Sequence, residues 1–386
     1  MQAYIRPPDP VGVIDTTSHY RQVASLSRSL RPVYLSGTGH YVPGRLVDNF
    51  ELFNLPAIRR SFDSERARIS LRKIDPDAAD TLSDPEVFDL WARQLTGIAR
   101  RSMVPADGGT TSEDLCARAS LRALDHAGIA STDLDFLVVA NLTAQEIVPN
   151  AASTLGALID APALPGFVLN TACSGFLHAL SVGFMHITTG ESDAVLVVSG
   201  DALTRVTDYG DPKTAVLFGD GAGAAVLTSR PGPGRVLSAP VLAAEYSADH
   251  LNLMGQGWGP DDADHKISMA GGANVLRHAI RTMREVATSA VENAGLTWDD
   301  VDFVVPHQAN ERITVGLERA LKLSKGRVIH AIEDIGNVSA STVPITLDRL
   351  IQGEFGSLSG RSQIVLTAVG GGYASGAVAI EWTFAD

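Results

Sequence analysis

Cysteine is scarce in this sequence: 386 residues include two, Cys116 and Cys173. Two cannot build a disulfide framework, and no Cys/His cluster has metal-ligand spacing, so metal catalysis is not expected. Positive charge is also in deficit. With 31 Lys and Arg against 44 Asp and Glu, the net charge of −13 argues against nucleic acid or an anionic membrane as a general partner, though a local basic patch could still receive an acidic one. No apolar run approaches the roughly 20 residues that cross a bilayer, and Met1-Gln2-Ala3-Tyr4-Ile5-Arg6-Pro7-Pro8 lacks a signal peptide's apolar segment. The expectation is a cytoplasmic protein without a membrane span. At 45% hydrophobic and 19% charged residues, the composition is globular, with material for one large core or two fused ones.

The stretch Val168-Leu169-Asn170-Thr171-Ala172-Cys173-Ser174-Gly175-Phe176-Leu177-His178-Ala179-Leu180 reads as an apolar strand running through Asn170 and Thr171 into a long helix, with Cys173 at the turn. Unpaired amides and the dipole at a helix start favour negative charge, so a thiol there should ionise more easily and an oxyanion could be held by the same amides. A free cysteine is otherwise a small buried hydrophobe, and it becomes a nucleophile only with a base and an oxyanion site nearby. Its partners must be sought elsewhere in the chain.

Residues 1–32 are polar and Pro-containing and read as an N-terminal arm. Val33 to Gly39 forms a first strand, and the charged stretch at about 50–90 resembles an inserted, partly helical excursion more than core. Thr111-Ser112-Glu113-Asp114 opens a periodic helix that Gly128 ends, and Cys116 within it is a packing residue. Asp133 to Ala140 is then a continuous apolar run of the kind a buried strand requires.

An internal repeat sets the architecture. Ala127 to Val139 matches the run from Ala294 in one ungapped register until the second copy, after Val305, ends at Pro306, each copy following a long helix, the second over about 273–293. Ser192 to Ser199 similarly echoes Ser362 to Val369, and a Gly-rich turn follows each. The chain is read as two α/β halves, 33–230 carrying Cys173 and 231–386, with mostly parallel sheets covered by helices and a site where corresponding loops meet at strand carboxyl ends.

In the second half, the strand Val301 to Val305 leads into Pro306-His307-Gln308-Ala309-Asn310 and a helix from Glu311 to Leu321. His307 thus occupies a place like that of Cys173. Asp334-Ile335-Gly336-Asn337-Val338-Ser339-Ala340-Ser341-Thr342 is the next loop of this type, and Gly336-Asn337 alone would be an ordinary turn or cap. A thiol, an imidazole and a carboxamide at equivalent loops supply an acyl acceptor, a donor or base, and a second neutral donor able to hold a thioester enolate. Gly370-Gly371-Gly372-Tyr373 lets backbone approach closely, so an amide there could pair with that of Cys173 as an oxyanion hole.

Asn170 to Phe176, Leu217-Phe218-Gly219-Asp220-Gly221-Ala222-Gly223-Ala224-Ala225, Pro306 to Asn310, Gly336 to Ser341 and Gly370 to Gly372 together resemble the β-ketoacyl-acyl-carrier-protein synthase III family of the thiolase superfamily. The resemblance covers about 32 to the C-terminus, apart from the segment near 50–90. It implies a homodimer of thiolase-like five-layered α/β/α/β/α subunits and decarboxylative Claisen condensation of an acyl group on Cys173 with a malonyl-type or β-ketoacyl thioester. His307 and Asn337 would hold the extender's carbonyl, and the amides of Cys173 and Gly371 the acyl oxyanion. Substrates would be thioesters of coenzyme A or acyl carrier protein, with no cofactor, in fatty-acid-like or polyketide metabolism. Gly219 to Gly223 would be a structural Gly-rich turn and not a phosphate cradle.

Trp91 matches a tryptophan that stacks on the coenzyme A adenine, and Arg312 matches the basic residue after the His307 motif. Leu95 and Pro212 stand where nucleotide-contacting arginines are common, which implies a weaker grip on free coenzyme A or delivery by a carrier protein meeting Arg312 and Arg277. Val148 replaces a bulky residue of the partner's acyl pocket and Val369 a phenylalanine near the extender, so longer or bulkier substrates are expected. Glu146 lies two residues from a partner-loop base found in relatives that join two chains without ordinary decarboxylation. The alternatives are that joining reaction, acyl transfer to a hydroxyl or amine, and a silent partner subunit. Retention of Asn337 and Cys173 favours condensation.

Overall fold

A computed structural model describes residues 30–73, 81–105, 109–245, 251–253, 266–269, 273–356 and 360–384. Most of the expected arm, residues 1–29, lies outside the described residues, as do 74–80 of the 50–90 segment.

Ten strands pair into one continuous sheet: β1 (Tyr34–Tyr41), β2 (Phe136–Ala140), β3 (Gly166–Leu169), β4 (Ala194–Ala202), β5 (Asp220–Thr228), β6 (Gly234–Val236), β7 (Val241–Ala243), β8 (Phe303–Pro306), β9 (Gly360–Val369) and β10 (Ser375–Phe384). Their order is β8-β9-β10-β6-β1-β5-β4-β2-β3, with β7 beside β10. The short β6 pairs with both β1 and β10 and so joins two five-stranded faces.

Six helices cover these faces: α1 (Ser112–Ala127), α2 (Ala151–Leu158), α3 (Gly175–Thr189), α4 (Ala273–Asn293), α5 (Glu311–Leu321) and α6 (Thr342–Ile351). Strand residues alternate between two cores, as the period of two requires. Val138, Ala140, Val195 and Val197 face Phe176, Leu177 and Leu180 of α3, in a central cluster shared with Val343 and Leu347 of α6 and with Ile364, Leu366 and Val378 of the other face. Leu137, Val139, Leu196 and Val198 point outward to Leu115, Ala119 and Ala123 of α1. On the far side, Val304, Val365 and Ala379 meet Met283, Ala287 and Leu317 of α4 and α5. The result is the five-layered thiolase-like α/β/α/β/α arrangement.

Local signals worked as written for α1. Thr111 caps it by accepting from the Asp114 amide at 3.1 Å, the Asp114 carboxylate accepts from the Thr111 amide in return, and Gly128 ends it in a left-handed conformation. The repeat has a matching physical detail: Asp135 Oδ2 accepts from the Asp193 amide and Asp302 Oδ2 from the Gln363 amide, both at 2.7 Å.

Three expectations are corrected. The sheets are mixed and not mostly parallel: β2 runs parallel to β3 and β4, and β8 to β9, but the chain reverses direction after β4 and, through a short link, after β9, so β4–β5, β5–β1 and β9–β10 are antiparallel. The strand before Cys173 stops at Leu169, because Asn170 turns back to accept from the Ala172 amide at 3.1 Å. Gly221 and Gly223 lie inside strand β5 and not in a turn. A Cβ on Gly223 would stand 2.7 Å from Pro344 Cγ, so glycine there lets α6 lie directly on the sheet. The 50–90 segment is partly helical, as expected, and its Leu52, Ile58 and Phe88 are buried in a small cluster shared with Val47, Ala215 and Val216, where Phe53 and Phe62 pack edge to face.

Candidate active site

Cys173 occupies a single 3-10 turn, Ala172–Ser174, between β3 and α3, and its side chain is buried. The Ser339 hydroxyl donates to its sulfur at 3.6 Å. Burial pushes the thiol up to about 11, the Ser339 hydrogen bond works against this, and the buried Asp201 carboxyl adds to it. Burial thus acts in the direction opposite to the helix terminus on which the expectation of a readily ionised thiol rests. Ser174 is itself fully buried and donates to the Thr171 carbonyl at 2.8 Å.

His307 follows β8, its amide donating to the Thr367 carbonyl at 2.8 Å. Its ring is buried, and burial pushes it down to about 3, so the imidazole is neutral. Nδ1 lies 2.6 Å from Thr342 Oγ1. The next residue fixes the loop: Gln308 Nε2 donates to the Pro306 and Ile329 carbonyls, each at 3.0 Å, and its Oε1 accepts from the Ala331 amide at 3.0 Å.

Asn337 sits beyond a one-turn helix, Ile332–Ile335, with its backbone paired to the Leu217–Gly219 segment on both sides. Its Oδ1 accepts from the Ser339 amide at 2.9 Å, which leaves Nδ2 as the group able to donate. Ser339 thereby links all three side chains. Its hydroxyl meets Cys173, its amide holds Asn337, and its carbonyl lies 3.1 Å from the Thr342 hydroxyl that contacts His307.

The Gly-rich loop closes on the same place. A Cβ on Gly370 would lie 2.5 Å from the Thr171 carbonyl oxygen and 2.9 Å from the Cys173 amide nitrogen, so bare backbone packs there. Gly371 begins the following turn, and Val369 is buried at the end of β9.

The other sequence-derived residues lie apart from this chain of hydrogen bonds. Trp91, on the helix Asp84–Thr96, is half-buried, with ring centroids 5.1 Å from Phe62 and 5.8 Å from Phe88. That helix is tied to the His307 loop by Asn310 Nδ2, which donates to the Leu95 carbonyl at 2.9 Å, and Asn310 Oδ1 accepts from the amide of the exposed Arg312. Arg277 is exposed beside Asn274, His278 and Arg281, which line a shallow surface depression. Glu146 and Val148 stand exposed on the loop after β2. Ser339, Thr342 and Gln308 were not singled out by sequence reasoning. The available signal was their place inside the motifs of Asn337 and His307.

The model of the 3-oxoacyl-[acyl-carrier-protein] synthase III family matches residues 167–245, and that of the family's C-terminal part matches residues 291–382. The β-ketoacyl-[acyl-carrier-protein] synthase III of Roseobacter denitrificans is 34% identical over 356 residues, which is 92% of this chain and 100% of that relative. This chain belongs to the β-ketoacyl-acyl-carrier-protein synthase III family. Among solved structures of the synthase III family, the Aquifex aeolicus enzyme superposes with a TM-score of 0.75 at 31% identity, covering 91% of this chain and 100% of that one. The priming β-ketosynthase of the R1128 polyketide biosynthetic pathway superposes with a TM-score of 0.77 at 29% identity, covering 92% and 98%. Cys173 lies inside the first matched span, and His307 and Asn337 lie inside the second.

Proposed function

We propose that Cys173 is the acylated nucleophile of this protein and that His307 and Asn337 are the paired donors of the condensation step. The reaction class follows from the family: the protein is an acyltransferase that forms a carbon–carbon bond by decarboxylative Claisen condensation in fatty-acid or polyketide metabolism. The observation that carries the residue roles is the series of hydrogen bonds from Cys173 through Ser339 to Asn337 and, through the Thr342 amide that donates to the Ser339 carbonyl and the Thr342 hydroxyl that contacts the ring, to His307.

In the first half-reaction the Cys173 sulfur attacks the thioester carbonyl, the oxyanion is received by the Cys173 and Gly371 amides, and the departing thiolate leaves with the proton that Cys173 gives up. In the second, a malonyl-type thioester loses carbon dioxide. The electron pair of the broken bond becomes an enolate, whose oxygen accepts from His307 and Asn337. Its carbon then attacks the acyl carbon on Cys173, and the Cys173 thiolate is expelled and reprotonated. Two neutral donors in a dry site stabilise the enolate without a charged partner.

The same reading has the donors arriving on coenzyme A or acyl carrier protein past Trp91, Arg312 and Arg277, with no cofactor, and the space left by Val148 and Val369 accepting longer or bulkier acyl groups than acetyl. It divides the chain near residue 230 into two halves, since β1 to β5 precede that point and β6 to β10 follow it. It also makes the protein a cytoplasmic homodimer. Ile147 and Val148 are 81% and 85% exposed, and β3 is an edge strand bearing the part-exposed Phe167, a combination that a second copy would cover. Among the described residues no helix is long and apolar enough to cross a membrane.

The test is intact-protein mass after incubation with a panel of acyl thioesters, wild type beside Cys173→Ala, followed by malonyl and β-ketoacyl thioesters with carbon dioxide monitored. A Cys173-dependent adduct discharged with carbon dioxide and a new carbon–carbon product supports the reading. An adduct removed only by an alcohol or amine overturns it.

A further inference from the structure

His307 is a neutral ring with one proton to place, and its two nitrogens have opposite capacities depending on where that proton sits. The described polar group at Nδ1 is the Thr342 hydroxyl, 2.6 Å away and fully buried. Thr342 Oγ1 has three neighbours: His307 Nδ1, the Gln308 amide, which donates to it at 3.1 Å, and the Ser339 carbonyl at 3.1 Å. A hydroxyl has one proton to give. The Ser339 carbonyl already accepts from the Thr342 amide, as the closing bond of the turn Ser339–Ser341, so it does not depend on the hydroxyl. The Gln308 amide can only donate. The shorter contact is then left as the natural destination of the hydroxyl proton.

We propose that Thr342 is a positioning residue that donates to His307 Nδ1 and thereby keeps the ring proton on Nε2, directed at the extender's carbonyl. The assignment rests on the reading of His307 as a donor in the condensation step. Thr342 is itself held without freedom to drift. It is the first residue of α6, its amide and hydroxyl both meet the Ser339 carbonyl, and the Gln308 amide fixes its oxygen from the other side. The internal repeat isolates the feature. Gly175 stands at the corresponding position after Cys173, where a Cβ would lie 2.9 Å from Ala140 Cβ, so the copy that bears the thiol has no hydroxyl at this point and the copy that faces the imidazole does.

The test uses the full chain as wild type, Thr342→Val and Thr342→Ser, with two half-reactions read separately: acylation of Cys173 by intact mass, and carbon dioxide release from a malonyl thioester. Thr342→Val should acylate as wild type does but release carbon dioxide about 10- to 100-fold more slowly, the usual cost of losing a group that orients a working histidine. Thr342→Ser should recover to within about threefold, since it keeps the hydroxyl. Ring nitrogen-15 shifts of histidine-labelled wild type, with the His307 signals identified by their loss in His307→Ala, should show a bare Nδ1 and a protonated Nε2. A protonated Nδ1 in the wild type, or undiminished carbon dioxide release by a folded Thr342→Val, overturns the assignment. Should Thr342→Val not fold, the wild-type shifts decide alone. Absence of any Cys173 adduct in the wild type would instead remove the reading of the site on which the assignment rests.

Discussion

Ala172 and Ser339 share a left-handed backbone, with φ of 49° and 48°, and each donates its amide to the carboxamide oxygen of the asparagine two residues before it, Asn170 and Asn337. A side chain in this conformation is costly and persists only where its surroundings fix it. Both residues open a one-turn 3-10 segment that leads into a helix, α3 or α6, and the offset between them is the one that separates Ala127 from Ala294. The two halves therefore build the same turn and use it differently. In the first it presents Cys173 while Asn170 remains exposed; in the second Ala340 is inert while Asn337 and Ser339 are buried and the Ser339 hydroxyl meets the thiol. Cys173 and Asn337, the proposed nucleophile and its proposed carboxamide partner, thus arise from one motif used twice.

Because burial holds the Cys173 thiol near 11, the resting enzyme should carry it protonated. Alkylation of Cys173 by iodoacetamide, followed by peptide mass, should rise about tenfold per pH unit from 7 to 9, since only the thiolate reacts. Ser339→Ala removes the hydroxyl donor and should slow alkylation roughly threefold to tenfold, the worth of a hydrogen bond of about 1 kcal/mol. A rate that levels off below pH 8 would mean a preformed thiolate.

An imidazole held down to about 3 changes the acid limb of the rate profile. Carbon dioxide release should stay level from pH 8 to about 5, because His307 keeps one proton throughout, whereas an ordinary histidine would lose half its neutral form near 6.5. The sign for stability is the same. The unfolded chain takes up this proton near 6.5 and the folded one does not, so His307 costs stability as pH falls below that value. Half-loss of carbon dioxide release near pH 6.5 by protein that remains folded would contradict the assigned neutrality.

The layers, the capped helix α1 and the three loops bearing Cys173, His307 and Asn337 were legible because each is written locally, as a cap, an apolar run or a strand-to-helix step repeated along the chain. Strand direction was not. An antiparallel return such as β9–β10 depends on a link of a few residues, and Val, Ile and Ala fill such strands as readily as parallel ones. The burial that raises the Cys173 thiol is not visible in sequence, whereas the helix terminus that favours its ionisation is. Ser339 and Thr342 escaped notice for a related reason, since serine and threonine after Gly-Asn look like ordinary capping residues until the third dimension brings Cys173 and His307 against them.

Gly370 has no room for a side chain, with the Thr171 carbonyl oxygen 2.5 Å and the Cys173 and Ser174 amides 2.9 and 3.1 Å from where its Cβ would stand. Gly370→Ala should therefore push the Gly-rich loop off the Cys173 amide and slow acylation by about 100-fold or more, the cost of losing one oxyanion donor. Gly372→Ala is the comparison. It also imposes strain, at φ 72°, but nothing lies within 4 Å of its Cβ, so it should reduce stability modestly and acylation far less. Equal acylation losses in the two variants, measured by intact mass over time, would show that backbone strain and not the crowding at Cys173 is responsible.

Asp201 is buried with Oδ1 accepting from the Leu142 amide at 2.8 Å and from Thr143 through both amide and hydroxyl, while Oδ2 has no hydrogen-bond partner among the described residues. Burial pushes it up to about 7, against the three hydrogen bonds, with Asp220 adding to the rise. Its folded value lies above its unfolded one of about 3.9, so between roughly pH 4 and 7 the unfolded chain gives up the proton while the folded chain keeps it. Asp201 thus subtracts stability progressively across that window and fully above it. Asp201→Asn retains the Oδ1 acceptor and cannot ionise. Urea unfolding at pH 5 and pH 8 should show the variant gaining on the wild type by more than about 1 kcal/mol at the higher pH, since each tenfold change in proton affinity is worth about 1.4 kcal/mol. A difference between variant and wild type that is the same at both values would mean that Asp201 ionises as freely in the folded protein as in water, and that its influence on the Cys173 thiol is correspondingly that of a solvated charge.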